Sequence, residues 1–254
     1  MILLDSPESR ALALQASRLQ EQHIATMLAE DASRVRTFSC EAAGLHLDFS
    51  RHLLDDDSLA GLLALAQRAD IRTHVDALFS GANVNMTEKR PALHTLLRAS
   101  TVSDDPRFAE VVATRERMRE RVAGLHSGEH TGFGGQPIVD IVNIGIGGSD
   151  LGPRLTNEAL TPVTAATPRV HYVANIDPED LASITASLNP ATTLFIVCSK
   201  SFGTEETLHN ALAARRWLQA AGAADEDLAR HFLAVTSNLQ AAADFGIPRS
   251  EERR

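Results

Sequence analysis

The sequence predicts an α/β protein, in which a mainly helical N-terminal region precedes a doubly wound parallel sheet. Before residue 124, apolar residues recur mostly at spacings of three or four, which is typical of amphipathic helices. After residue 137, short apolar runs alternate with helical stretches. Such alternation requires right-handed crossovers and a parallel sheet that is covered on both faces.

The first region opens with a well-capped helix and contains one predicted hairpin. Ser6 and Pro7 suit the N-cap and the first helical position. The mostly apolar stripe that follows continues at helical spacing as far as Met27. Two short alternating runs, 37–40 and 45–49, flank a small segment with a glycine and predict a β-hairpin. Helical patterning returns in the stretches 58–69, 90–99 and 108–122.

The second region contains four predicted strands. Five glycines between residues 124 and 137 indicate a boundary, so we expect one domain over 1–123 and a second over 124–254. The predicted strands are 138–144, 170–173, 193–198 and 232–235. Helical stretches lie between them near 151–160, 180–188 and 205–220. Four strands make a small sheet, and we therefore expect this domain to be incomplete at its C-terminus.

Composition excludes several classes of protein. With 44% hydrophobic and 22% charged residues, the chain of 254 residues is not largely disordered. Its net charge of −9 argues against unspecific binding of nucleic acid. The two cysteines, Cys40 and Cys198, exclude a disulfide-dense scaffold and a four-thiolate zinc site. No apolar run approaches the roughly 18 residues of a membrane span, so we expect a cytoplasmic protein without membrane contact.

Ligands of open parallel sheets bind beyond the carboxyl ends of the strands, so the loops there are the candidate sites. The first predicted strand is followed by GIGGSDLGP at 145–153. Its glycines let backbone N–H groups approach an oxyanion, and Ser149 adds a hydroxyl donor. The alternative is a tight turn with Ser149 or Asp150 as N-cap. Binding of NAD is disfavoured, because Asp150 stands where the dinucleotide fingerprint needs its third glycine.

The third predicted strand is followed by SKSFGTEET at 199–207, which combines hydroxyls and one ammonium just before a helix. A phosphate monoester needs donors of this kind together with positive charge, which Lys200 supplies. The alternative is a capped helix in which Thr204 is the N-cap and Lys200 a solvated charge. Because two such loops follow strands of one sheet, we favour the ligand interpretation.

Taken together, these motifs resemble the glucose-6-phosphate isomerase family. The two loops match in sequence and order, and the second continues to residue 211. Further matching segments lie at 47–50, 78–81, 85–98 and 244–247. The resemblance implies a sugar-isomerase, flavodoxin-like fold and the interconversion of glucose 6-phosphate and fructose 6-phosphate. It implies no metal or organic cofactor, and it implies a homodimer for full-length relatives.

The resemblance also implies a set of residues that hold the substrate, mainly its phosphate. These residues are Gly148, Ser149, Ser199, Lys200, Ser201 and Thr204. Three positions depart from the family pattern. Ser201 replaces a usual threonine but keeps the hydroxyl, whereas Gly203 loses one. Glu205 replaces a common glutamine, and its carboxylate should weaken the binding of a dianion modestly.

The family's catalytic base glutamate, histidine, lysine and arginine lie further along the chain than residue 247, so the resemblance implies no catalytic residue here. We therefore expect phosphate binding with little or no turnover. Two alternatives stay open: a non-catalytic module that senses sugar phosphates, and an inactive fragment. The ten histidines show no metal spacing, and His94 and His209 are expected to be structural.

Overall fold

The computed structural model describes residues 3–99, 103–160 and 168–247. The chain divides into two compact units, Met1–Asp105 and Pro106–Arg254. The domain division near residue 124 stays a prediction. Within the described residues, none of the helices combines the length and the apolar character needed to cross a bilayer.

The first unit consists of helices and one antiparallel hairpin. Its helices are α1 (Pro7–Leu19), α2 (Ile24–Glu30), α3 (Arg34–Thr37), α4 (Asp56–Arg68), α5 (Ile71–Phe79) and α6 (His94–Leu97). The hairpin pairs β1 (Ser39–Ala42) with β2 (Leu45–Asp48). Ala43 and Gly44 between them both have positive φ, as a tight two-residue hairpin turn requires. The predicted hairpin is confirmed, although Thr37 belongs to α3.

The predicted capping of α1 is confirmed, because the Ser6 hydroxyl accepts a hydrogen bond of 3.1 Å from the Ser9 N–H. The single apolar stripe to Met27 is wrong, since the chain turns at residues 20–23 and resumes as α2. On one straight helix Leu19 and Met27 would lie about 80° apart, at about 100° per residue. The break allows both of these side chains to be buried.

The second unit contains a four-stranded parallel sheet in the order β4-β3-β5-β6. Its strands are β3 (Asp140–Ile144), β4 (Arg169–Val173), β5 (Thr193–Cys198) and β6 (Phe232–Val235). Its helices are α7 (Phe108–Ser127), α8 (Leu151–Leu160), α9 (Pro178–Thr185), α10 (Glu205–Ala220) and α11 (Leu239–Phe245). The predicted parallel α/β sheet is thereby confirmed.

The core of this unit lies between the sheet and its helices. Val142, Phe195 and Phe232 are completely or almost completely buried, together with Leu218 of α10. Phe195 stacks on Phe232 with ring centroids 5.4 Å apart and meets the edge of Trp217. Strands buried on both faces read as continuous apolar runs, which is why the sequence pattern located them. The rigid sheet then holds the loops at its carboxyl edge.

Candidate functional site

The strand order reverses direction between β3 and β5. After β3 the chain crosses to β4 on one side, and it later returns to β5 on the other side. At such a reversal the following loops diverge and leave room for a ligand beyond the carboxyl ends of the strands. The loop 145–150 follows β3 and the loop 199–204 follows β5. Both predicted ligand loops therefore lie at the same edge, on directly paired strands.

The loop 145–150 packs tightly against the end of β5. A Cβ atom on Gly145 would lie 2.8 Å from the Ser149 Cβ and 3.1 Å from the Cys198 Cβ, so only glycine fits. The buried Asn143 amide joins the same parts of the fold. Its Nδ2 donates to the Ser149 carbonyl over 3.1 Å, and its Oδ1 accepts from the Cys198 Sγ over 3.1 Å. Asn143 thus ties the first loop to the strand that carries the second.

An ion pair holds the far end of this loop. Asp150 is 5% exposed, and its carboxylate accepts hydrogen bonds from Arg154 one turn along α8, the shortest of 2.8 Å. These bonds raise the pKa of the Arg154 guanidinium, which also lies over the Tyr172 ring at 4.8 Å. The Tyr172 hydroxyl donates to the Pro153 carbonyl. The Asp150 carboxylate is therefore engaged by Arg154 at the start of α8.

The loop 199–204 is anchored by an aromatic side chain in an unusual backbone conformation. Phe202 has a φ of +50° and is 4% exposed. A left-handed conformation costs a residue with a large side chain roughly 1–3 kcal/mol. Packing of Phe202 against Phe245, with centroids 5.8 Å apart, offsets this cost. The Phe202 N–H donates to the Ser199 carbonyl over 3.1 Å and closes the turn.

Thr204 occupies the N-cap position of α10, but its side chain makes no capping hydrogen bond. Its hydroxyl instead lies 3.2 Å from the hydroxyl of the buried Ser199. The alternative in which Thr204 is the N-cap is thus confirmed for its position in the backbone, whereas its side chain does not satisfy an N–H group of the helix. The first N–H groups of a helix have no intrahelical partner, so those of α10 can meet an anion, which the positive end of the helix dipole also favours.

The structure brings the six predicted residues to one edge with different exposure. Gly148, Lys200 and Ser201 are exposed, Ser149 and Thr204 are half-buried, and Ser199 is buried. No cluster of three or more His, Cys, Asp or Glu side chains suited to a metal ion occurs among the described residues. What this edge offers is hydroxyls, backbone N–H groups and one ammonium, which suit an oxyanion.

The profile of the phosphoglucose isomerase family matches residues 48–252, a span that includes both loops. The chain belongs to this family. Among curated members of the phosphoglucose isomerase family, the glucose-6-phosphate isomerase of Saccharophagus degradans is 44% identical over 243 residues, which cover 96% of this chain. The enzyme of the same name from Ectopseudomonas mendocina is 46% identical over 92% of this chain. The matches span only 44% and 45% of those relatives.

A solved structure agrees with the sequence comparison. The crystal structure of a glucose-6-phosphate isomerase from Chlamydia trachomatis superposes with a TM-score of 0.71 at 26% identity. The match covers 92% of this chain and 45% of that one. The chain therefore spans less than half the length of the phosphoglucose isomerase relatives it matches.

Sequence reasoning missed several residues that shape the edge. Asn143 carried a signal, since it is an amide within an otherwise apolar buried strand, and buried amides need partners. Arg154 carried a weaker signal: it follows Asp150 by four residues, and opposite charges at this spacing on a helix lie on the same face. Thr207, in the first turn of α10, carried none: its buried hydroxyl has no hydrogen-bond partner within the described part of the chain.

Proposed function

We propose that this chain serves the interconversion of glucose 6-phosphate and fructose 6-phosphate, and that its part is to hold the substrate phosphate. The observation that carries the proposal is that two donor-rich loops lie side by side beyond the carboxyl ends of the paired strands β3 and β5. Membership of the phosphoglucose isomerase family supports the same function. The proposed phosphate ligands are Gly148, Ser149, Ser199, Lys200, Ser201 and Thr204.

The two loops supply complementary contacts to a phosphate dianion. In the first loop, Gly148 offers an unobstructed backbone approach, because a Cβ there would meet nothing within 4 Å. The Ser149 hydroxyl donates from beside it. In the second loop, the exposed Ser201 hydroxyl and the Lys200 ammonium add a donor and a positive charge. The paired hydroxyls of Ser199 and Thr204 donate from the start of α10.

Holding the phosphate serves the reaction through binding energy. Isomerisation moves a proton between C1 and C2 through an enediol, and it needs a carboxylate base within hydrogen-bond distance of the carbon-bound proton. A phosphate held firmly at one end of the sugar fixes where those carbons lie. None of the six proposed ligands is such a base, and the family resemblance implies no catalytic residue elsewhere in this sequence, so we propose that these 254 residues by themselves turn over little substrate or none.

Further parts of the proposal rest on the family and on composition. A cytoplasmic location and a role in glycolysis and gluconeogenesis accompany the activity that the relatives' names state. A homodimer and a first sugar-isomerase domain over residues 124–254 complete the proposal. No metal or organic cofactor is part of it.

Calorimetric titration of the purified chain tests the proposal. We expect glucose 6-phosphate to bind measurably and unphosphorylated glucose to bind far more weakly, because the proposed ligands contact the phosphate. Equal affinity for the two sugars would contradict the phosphate assignment. A coupled dehydrogenase assay on the same sample measures turnover, and rapid isomerisation would contradict the expectation of little or none.

A further inference from the structure

A third loop, which follows β6, contacts the second ligand loop directly. It consists of Thr236, Ser237 and Asn238, and β6 is the neighbour of β5 in the sheet. The three residues carry two hydroxyls and one amide, and each of these groups donates a hydrogen bond to a backbone carbonyl of the loop 199–204. We call them the β6 loop. None of the three is among the proposed phosphate ligands.

The carbonyl of Lys200 accepts three hydrogen bonds from the β6 loop. The Ser237 N–H donates over 2.9 Å, the Ser237 hydroxyl over 2.7 Å and the Thr236 hydroxyl over 3.1 Å. The bond from the N–H extends the pairing of β5 with β6 beyond the strand ends. The two hydroxyl bonds are additional. Because a carbonyl oxygen has only two lone pairs, these three donors use its whole capacity as an acceptor. The Lys200 carbonyl is thereby fixed toward β6.

The carbonyl of Ser201 is held in the same way by an amide. The Asn238 Nδ2 donates to it over 3.0 Å, while the Asn238 Oδ1 accepts from the Ala241 N–H over 3.2 Å and caps α11. One side chain thus connects the ligand loop to the start of a helix. Since α11 also carries Phe245, which packs against Phe202, the ligand loop is attached to α11 at two points.

Peptide geometry converts these contacts into the orientation of N–H groups. In a planar trans peptide, the C=O of one residue and the N–H of the next point in opposite directions. With the Lys200 C=O directed at the β6 loop, the Ser201 N–H points away from it. In the described part of the chain, this N–H donates to no other group. A flip of the same peptide would present a carbonyl oxygen, which repels an anion.

We propose that Ser237 and Asn238 are positioning residues of the phosphate site, which hold the Lys200–Ser201 peptide so that its N–H faces the bound phosphate. This inference rests on the proposed function, because it assigns the donor that the phosphate meets. Both side chains act through backbone atoms of the ligand loop. Both are exposed, so their replacement removes hydrogen bonds without opening the core.

Two neutral substitutions test the proposal, and each has a matched control. Asn238→Ser keeps a side-chain oxygen that can cap α11 but removes the amide donor to Ser201. Its control is Asn189→Ser, since Asn189 caps the short turn before β5 at the opposite end of that strand. Ser237→Ala removes one hydroxyl and leaves the backbone N–H bond in place. Its control is Ser187→Ala, whose hydroxyl donates to the Ile184 carbonyl on the surface.

The affinity for glucose 6-phosphate is the first measurement, by calorimetry. We expect Asn238→Ser and Ser237→Ala each to weaken binding about threefold to tenfold, the range typical of one hydrogen bond. The two control variants should bind like the wild type. Ser237→Thr changes the same position but keeps the hydroxyl and should bind like the wild type, so a difference between the alanine and threonine variants reports the hydroxyl itself.

The amide resonance of Ser201 is the second measurement. In ¹⁵N-labelled wild-type protein, saturation with glucose 6-phosphate should shift the Ser201 amide proton downfield, and the shift should shrink in the variant that combines Ser237→Ala with Asn238→Ser. If the wild type binds and both variants bind equally well, the inference is wrong while the proposed function stands. If the wild type does not bind glucose 6-phosphate, the inference and the proposed function are both wrong. If the Asn238→Ser variant does not show the native fluorescence of Trp217, it is not folded, and the affinity of Ser237→Ala alone then decides whether the inference holds.

Discussion

The two ends of the parallel sheet use polar residues in opposite ways. At the amino end, Asp140 accepts two hydrogen bonds of 2.9 Å from Arg169, and its carboxylate lies 2.9 Å from the His171 Nε2. At the carboxyl end, the Ser201 hydroxyl is exposed, and the hydroxyls of Ser199 and Thr204 form a single hydrogen bond of 3.2 Å with each other. Polar groups satisfied by one another stabilise the fold, whereas donors left open are suited to a ligand. Polar residues therefore have different roles at the two ends.

His231 shows how completely the amino end is satisfied. Its ring is fully buried, and its Nδ1 lies 2.6 Å from the Thr193 carbonyl, to which it must donate. Its Nε2 accepts from the Phe133 N–H over 2.8 Å. One neutral tautomer thus satisfies both bonds. Substitutions at this end should change stability without changing affinity, and substitutions at the other end should do the reverse.

The largest effect is expected from His231→Leu. Leucine fills a similar volume but leaves the Phe133 N–H and the Thr193 carbonyl without their partner, at about 1–3 kcal/mol for each buried group. We expect the free energy of unfolding to fall by about 2–6 kcal/mol in total. Urea titration followed by Trp217 fluorescence measures this change. His231→Gln, with one donor and one acceptor, should recover part of the loss; a leucine variant as stable as the wild type would contradict the structural role.

Lys200→Ala should affect the opposite property. Loss of a charge-assisted contact, worth about 1.5–3 kcal/mol, should weaken the binding of glucose 6-phosphate about tenfold or more. The free energy of unfolding should change by less than about 0.5 kcal/mol, as is usual for the replacement of an exposed side chain. Calorimetry and urea titration on one preparation give both values. Arg216→Ala, at an exposed position late in α10, serves as the charge-matched control.

Asn143→Leu lies between these two cases, because Asn143 is buried but contacts both the first ligand loop and β5. Without its amide, the Ser149 carbonyl and the Cys198 thiol lose a shared partner. We expect a loss of about 1–2 kcal/mol in the free energy of unfolding, together with weaker phosphosugar binding. A variant with unchanged affinity for glucose 6-phosphate would show that the two Asn143 hydrogen bonds stabilise the sheet but do not contribute to binding.

Acid should destabilise the amino end by a smaller and graded amount. Burial lowers the pKa of His231 from its ordinary 6.5, the backbone bond to Thr193 opposes this, and His130, Asp227 and Arg230 act more weakly. As the pH falls, the unfolded chain therefore binds a proton at His231 at a higher pH than the folded chain does. Stability is complete above pH 6.5 and is lost as the pH falls from there through the folded pKa, by at most about 1.4 kcal/mol per unit.

Urea titrations between pH 7 and pH 5 measure this dependence. His231→Gln has no titrating group at this position and provides the control. The difference in slope between the two proteins isolates the contribution of the imidazole. Equal slopes would mean that His231 has the same pKa in the folded and the unfolded chain, which would contradict a pKa lowered by burial.

Sequence located the strands well because burial on both faces leaves an unambiguous apolar run. β5 and β6 have the predicted bounds, and α8 and α10 do as well. The helix α5 was missed because its start signals are absent: Asp70 has a φ of +49° and its side chain makes no capping bond. The helix predicted over 90–99 is wrong except for α6, since Pro91 disfavours helix at its start.

The candidate site was only partly predictable for a related reason. Glycines and a lysine after a strand are strong local signals, and they led to both ligand loops. The β6 loop has neither, and its importance depends on which strand lies beside β5, which is a property of the folded sheet. Asn143 likewise gains its role only when β3 and β5 are paired.

The tight packing at Gly145 has a consequence for how the site can vary. A Cβ atom at this position would lie 2.8 Å from Ser149 within the same loop and 3.1 Å from the Cys198 Cβ at the end of β5, so even one methyl group would force the first ligand loop to shift. The conformation of this loop therefore depends on a glycine here. Adaptation to a larger or smaller anion would have to come from other positions of the two loops, because this position is closed to any residue with a side chain.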